Sequence, residues 1–133
     1  MDERQKRVLI VDDEAFIRVL LMQTLEVLQD QGVVLSAAED GLQGLQMALE
    51  MAPDLIFLDV MMPKMSGYEV CRRVKAACPN TTVILLTAKG RSVDREDGTA
   101  AGADEYVTKP FDPDYVMMRS AEILDVDLQQ DYV

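Results

Sequence analysis

The sequence predicts an α/β protein, one parallel sheet with helices on both faces. Three observations carry this. Short apolar runs alternate with segments of helical period from one end of the chain to the other. The runs are almost continuously apolar, as in strands covered on both sides. Gly, Pro and capping residues separate them at distances that suit successive β-α units. The length, 133 residues, suits one domain. Its 49% apolar and 28% charged residues are globular rather than disordered composition.

Val8-Leu9-Ile10-Val11 is a β-branched run fit for a buried strand. From Ala15 to Leu28 the residues Ile17, Leu20, Leu21, Leu25 and Leu28 recur at helical spacing, with Arg18, Gln23 and Glu26 on the other side. Gly32 breaks that pattern, and Val33-Val34-Leu35 reads as a second strand. Asp40 with Gln43 forms a capping-box pattern at the start of a helix that Pro53 closes. Leu55-Ile56-Phe57-Leu58, closed by Asp59, is the third strand. Ser66 and Glu69 make a second capping box, for a helix running to about Ala77, before Pro79. Thr82 to Leu86, ended by Thr87, is the fourth strand, and a polar helix with Asp94 and Glu96 in its first turns follows from Ser92 to about Ala101. After Gly102, Glu105-Tyr106-Val107-Thr108 is the fifth strand, and Asp112-Pro113 opens the last helix. The core spans about residues 7–124, with an acidic tail over 125–133. With right-handed crossovers, five such units suit a flavodoxin-like, doubly wound five-stranded parallel sheet of order 2-1-3-4-5.

Composition excludes several chemistries. The chain has no histidine, so Ser-His-Asp and Cys-His catalysis, histidine metal sites and self-phosphorylation on histidine are ruled out. Its two cysteines, Cys71 and Cys78, are too few for a four-thiolate zinc site. Seven apart in a helix, they lie roughly 10 Å apart along its axis, too far for a disulfide. They read as reduced thiols of a cytoplasmic protein. Thirteen Lys and Arg against 24 Asp and Glu leave a net charge of −11, which disfavours nucleic acid and anionic membranes as partners. The charged N-terminus leads into an apolar run far too short for a signal peptide or a membrane span. Neither a Walker loop nor the dinucleotide glycine pattern occurs.

In a sheet of this order ligands sit at the carboxyl ends of the strands, where strands 1 and 3 diverge. The first strand ends in Asp12-Asp13-Glu14, the third in Asp59, the fourth in Thr87 and the fifth in Lys109. Any one of these is no more than a turn or a helix cap; all four together describe a site. Carboxylates so close in a partly dry crevice repel, so either one keeps its proton or a cation compensates. Oxygen ligands without His or Cys suit a hard ion such as Mg²⁺. With Lys109 as a further positive charge, the group is suited to receiving a phosphoryl unit on a carboxylate, forming an acyl phosphate. Thr87 is placed to hydrogen-bond a phosphoryl oxygen. The methionines Met61, Met62 and Met65 read as packing.

Five segments together resemble the receiver domain of bacterial two-component response regulators. They are Val8-Leu9-Ile10-Val11-Asp12-Asp13-Glu14, Asp54-Leu55-Ile56-Phe57-Leu58-Asp59-Val60-Met61-Met62-Pro63, Met65-Ser66-Gly67-Tyr68-Glu69, Leu86-Thr87-Ala88, and Gly102-Ala103-Asp104-Glu105-Tyr106-Val107-Thr108-Lys109-Pro110-Phe111. The likeness runs from about Arg7 to Leu124. It implies a chemotaxis-Y-like signalling phosphoacceptor that catalyses only its own phosphorylation and dephosphorylation. By resemblance, Asp59 is the phosphorylated residue and Asp13 binds Mg²⁺ directly. Asp12 binds it directly or through water, and the Met61 backbone carbonyl is a further ligand. Lys109 pairs with the phosphoryl group, the Lys109–Pro110 bond is cis, and Thr87 with Tyr106 forms the switch pair that reshapes an output face.

The resemblance also implies partners. The donor is a phosphohistidine on a sensor histidine kinase or phosphotransfer domain, docking near Ala15, Phe16 and Arg18. Ala88 leaves the phosphate approachable. Apolar Met61, with Lys89, points to a long-lived phosphorylated state. A homodimer through the fourth helix (from Ser92), the fifth strand and the last helix would set Asp104 and Glu105 against Arg119 of a neighbour; an intrachain pair is the alternative. The last helix, with Tyr115, Met117 and Met118, departs from longer relatives. An aspartate-nucleophile phosphatase would carry a second acid where Met61 stands, and a degenerate receiver would lack a key residue. With no effector after Val133, the chain is expected to be a stand-alone receiver or a fragment of a larger regulator.

Overall fold

The computed structural model describes residues 4–88 and 101–128. Among these, β1 (Arg7–Val11), β2 (Val34–Ala38), β3 (Leu55–Asp59), β4 (Thr82–Ala88) and β5 (Glu105–Lys109) form one parallel sheet in the order β2-β1-β3-β4-β5. The helices are α1 (Ala15–Thr24), α2 (Glu26–Gln29), α3 (Gly41–Met51), α4 (Gly67–Ala77) and α5 (Pro113–Leu124). Lys89 and the helix predicted from Ser92, with Asp94 and Glu96, lie outside the described residues. So does the tail from residue 129.

Alternate residues of each central strand feed two separate cores. Val8, Ile10, Leu55, Phe57, Ile84 and Leu86 pack with Ile17, Leu21, Val116 and Leu124 of α1 and α5. Leu9, Val11, Ile56, Leu58, Val83 and Leu85 pack with Ala48 of α3 and with Val70, Cys71 and Val74 of α4. Every residue of β3 is buried, which is why its sequence shows no polar alternation.

The predicted caps form. The Asp40 carboxylate accepts from Gln43 N–H at 2.8 Å, and the Gln43 side-chain oxygen accepts from Glu39 N–H at 2.8 Å. Ser66 Oγ accepts from Glu69 N–H at 3.3 Å, but the Glu69 carboxylate turns to Arg72 and Arg73, so of the expected second capping box only the Ser66 half forms. The Asp112 carboxylate accepts from Asp114 N–H at 2.9 Å with Pro113 first in the helix.

Two elements differ from the sequence reading. The single helix expected from Ala15 to Leu28 is interrupted at Leu25. There the Thr24 hydroxyl donates to the Leu20 carbonyl at 2.7 Å, a back-bond that bends helices. Leu25 and Leu28 nevertheless stay fully buried, so the apolar period marks the buried face rather than an unbroken helix. The second strand is Val34–Ala38 rather than Val33–Leu35. Its ladder to β1 runs from Arg7↔Val34 to Val11↔Ala38 and recruits Ser36, Ala37 and Ala38, small residues with little strand signature. Val33 lies outside the strand yet is buried in the α1 and α5 core.

After α5 the chain reverses at Asp125, in the left-handed conformation with φ 57°, and lays Val126 and Leu128 against the same core. Cys71 and Cys78 are free thiols. Among the described residues no helix is long and apolar enough to cross a membrane.

Candidate functional site

Parallel strands deliver their carboxyl ends to one edge, and the order β2-β1-β3 opens a crevice where β1 and β3 send their following helices to opposite faces. Asp12 follows β1 directly and is fully buried. Its N–H donates to the Ala38 carbonyl at 3.2 Å, and its carboxylate accepts from Glu14 N–H at 2.8 Å, closing a tight turn. The Arg18 guanidinium, one turn into α1, donates to the Asp12 carbonyl at 2.7 Å and fixes that turn from outside. Asp59 ends β3, 6% exposed, and its Oδ1 accepts from Met61 N–H at 3.4 Å.

Lys109 ends β5 and joins the two strands. Its Nζ lies 2.9 Å from Asp12 Oδ2, 3.1 Å from Glu14 Oε1 and 3.4 Å from Asp59 Oδ1. Two buried carboxylates and one exposed carboxylate therefore share one ammonium.

The electrostatics follow from that imbalance. Burial pushes the Asp59 carboxyl up to about 7, the negative charge of Asp12 pushes in the same direction, and Lys109 opposes both. Burial likewise raises Asp12, against the lowering effect of Glu14 N–H and Lys109. For Lys109, burial alone would favour the neutral amine. Its bond to Asp12 and the charges of Asp12 and Asp59 outweigh this, so its pKa is raised and it stays an ammonium. The site holds more negative charge than its own cation balances.

Asp12, Glu14 and Asp59 each offer a carboxylate oxygen, and these oxygens lie within 4.8 Å of one another. An all-oxygen, anionic donor set of this kind can hold a hard divalent cation. In this set Glu14, to which the sequence assigns no role, stands where the sequence leads one to expect Asp13. Asp13 is exposed at the rim, within hydrogen-bonding reach of the Asp59 carboxyl. The signal for Glu14 was the Asp-Asp-Glu run itself: the turn that the Asp12 carboxylate closes on Glu14 N–H swings the third acid back over Lys109.

Thr87 is buried on β4, one residue beyond Leu86, the register partner of Asp59. Tyr106 is half-buried against the α3 and α4 core. The Met61 side chain is exposed, as is Ala88, and the Lys109–Pro110 bond is cis. On α1, Phe16 is 73% exposed and Val19 is exposed beside it. Of the two arrangements open for Arg119, this structure contains the intrachain one. Arg119 Nε donates to Glu105 at 2.8 Å, and the Tyr115 hydroxyl donates to the same carboxylate. Asp104 is engaged at the far edge of the sheet, by Lys75 at 3.1 Å and Val83 N–H at 2.8 Å.

Comparison with known proteins places this geometry in context. Residues 8–120 match the family model described as the response regulator receiver domain. The transcriptional regulatory protein ResD of Bacillus subtilis is 42% identical over 125 residues, covering 93% of this chain and 50% of ResD. The DNA-binding response regulator MtrA of Mycobacterium bovis is 40% identical over 119 residues, covering 90% of this chain and 50% of MtrA. The chain thus spans about half the length of the curated relatives it matches. Among solved structures, a CheY-like receiver domain protein from Methanospirillum hungatei superposes with a TM-score of 0.81 at 29% identity, covering 92% of this chain and 95% of that one.

Proposed function

The chain belongs to the response regulator receiver domain family, and from that premise we propose that it is a two-component signalling module that accepts a phosphoryl group on Asp59 from a sensor histidine kinase or phosphotransfer domain. The observation that carries this is the shared ammonium. Lys109 reaches the buried Asp59 at 3.4 Å while also paired to Asp12 at 2.9 Å and Glu14 at 3.1 Å, so one ammonium joins the three acids and leaves negative charge that a divalent cation would balance.

The step is an in-line displacement. A carboxylate oxygen of Asp59 bonds to the phosphorus, the bond from phosphorus to the donor imidazole nitrogen breaks, and the imidazole leaves with the electron pair. Asp59 must be ionised to attack, and with its carboxyl near 7 an added positive charge favours that form. Asp12, Asp13, Asp59 and the Met61 carbonyl are the metal-binding groups in this reading, with Glu14 added by the geometry. Mg²⁺, when bound, supplies charge that neutralises the phosphoryl oxygens. Lys109 follows the incoming group by exchanging a carboxylate for a phosphoryl oxygen. Thr87 donates its hydroxyl to another, and Tyr106 changes its packing in response, so a local charge becomes a change of surface. Catalysis is confined to the protein's own phosphorylation and dephosphorylation, and the apolar Met61 favours a long-lived phosphorylated state. Phe16 and Val19, exposed beside the crevice, suit the docking of an apolar donor surface in the cytoplasm.

Incubation with Mg²⁺ and acetyl phosphate, followed by intact mass measurement, tests the assignment. A single phosphate-sized increment is expected, absent in Asp59→Asn and absent without the metal. An increment that persists in Asp59→Asn overturns it.

A further inference from the structure

The segment between β3 and α4, residues 60–66, carries Met61, whose N–H reaches Asp59, and it is seated on the beginning of another helix. A Cβ built on Gly41, the first residue of α3, would stand 2.0 Å from the Met65 carbonyl oxygen and 2.9 Å from its carbon. Backbone meets backbone there, so no rotamer change relieves the overlap. At the loop's far end, a Cβ on Gly67 would stand 2.2 Å from the Asp59 carbonyl oxygen, and Gly67 N–H donates to Val60 at 2.9 Å. Asp40 serves both sides of the seat. One oxygen caps α3 through Gln43 N–H, and the other meets Lys64 Nζ at 3.4 Å, with Lys64 in the left-handed conformation at φ 71°.

We propose that the capped start of α3, with Gly41 as a positioning residue, fixes the 60–66 loop and thereby sets where the Met61 backbone meets the Asp59 carboxylate. α3 contributes nothing to the reacting groups; it acts through the loop it supports. Displacing Met65 by the ångström or so that a methyl group demands moves the loop whose N–H bonds to Asp59. Misplacement on that scale costs reactivity out of proportion to its cost in stability. The inference rests on Asp59 as phosphoacceptor, and one arm of its test does not.

That arm is amide hydrogen exchange on the metal-free protein without phosphodonor. In Gly41→Ala the Met65 and Gly67 amides should exchange at least about tenfold faster than in the unaltered chain, while amides of β1 change little. The second arm titrates Mg²⁺ in the acetyl phosphate reaction. Gly41→Ala should need about tenfold more Mg²⁺ for half-maximal rate. Gly32→Ala, strained at φ 86° but with open space around it and remote from the loop, should lower the melting temperature without moving that midpoint. Lys64→Ala and Asp40→Asn, which keeps a capping side chain, should each raise exchange of the Met65 amide about threefold. They decide the matter if Gly41→Ala does not fold. Unchanged exchange at Met65 and Gly67 in these variants overturns the proposal, whatever happens to phosphorylation. Altered exchange with an unchanged Mg²⁺ midpoint overturns the link from seat to site.

Discussion

At the amino edge of the sheet, Lys75 reaches one carboxylate, Asp104, and two backbone carbonyls, those of Pro79 and Thr81, whereas at the carboxyl edge Lys109 is shared among Asp12, Glu14 and Asp59. The matching at the amino edge continues along the strands. Arg4 pairs with Asp54 at 3.2 Å and caps the end of α3 through the Ala52 carbonyl at 3.1 Å. Asp54 also accepts from Arg7 N–H at 2.8 Å, and buried Thr81 donates to the Pro53 carbonyl at 2.7 Å. Charges there are balanced nearly one for one, as groups that serve stability are. The carboxyl edge gathers an excess of negative charge, with Asp12 and Asp59 buried, an arrangement that costs stability unless a cation comes to it.

The largest expected effect that tests this contrast comes from removing each of the two lysines in turn. Lys109→Ala should slow phosphoryl uptake from acetyl phosphate by roughly 100-fold. Lys75→Ala should leave the rate within about twofold while lowering unfolding free energy by about 1 kcal/mol, read from urea denaturation. Similar rate losses in the two variants would erase the distinction between the edges.

The second test is pH. The Asp59 carboxyl titrates near 7 in the folded chain against an ordinary 3.8, so the folded state holds this proton more tightly than the unfolded state. Its contribution to stability is therefore intact below about 4 and is lost as pH rises from there through about 7. In metal-free protein, Asp59→Asn should melt close to the unaltered chain at pH 4 and at least about 5 °C above it at pH 8, with the gap already opening at pH 5. Added Mg²⁺ should raise the unaltered chain towards the variant. A gap that does not change with pH would mean the buried acid is not under strain.

The smallest effect belongs to the amino edge. Arg4→Ala removes a half-exposed pair and should cost at most about 0.5 kcal/mol, with phosphorylation unchanged.

Much of this was legible in the residues. Val8 to Val11, Leu55 to Leu58 and Thr82 to Leu86 announce buried strands because nothing polar interrupts them, and Asp40 with Gln43 or Ser66 with Glu69 announce helix starts through the hydrogen bonds they go on to make. The convergence of Asp12, Asp59 and Lys109 follows once the strand order is granted. Besides the break at Leu25, three details did not show. β2 extends through Ser36 and Ala37 because an edge ladder is a backbone property. Glu14 joins the site through a turn, which periodicity cannot report. The seat of the 60–66 loop on Gly41 depends on a contact between segments far apart in the chain, and a glycine after Asp40 looks from the sequence like an ordinary helix start.

Neighbouring residues of β4 belong to opposite layers: Val83 and Leu85 to one, Ile84 and Leu86 to the other, with Thr87 next in line. A tug on the end of that strand is therefore felt above and below the sheet together, since neither close-packed layer has slack to absorb it.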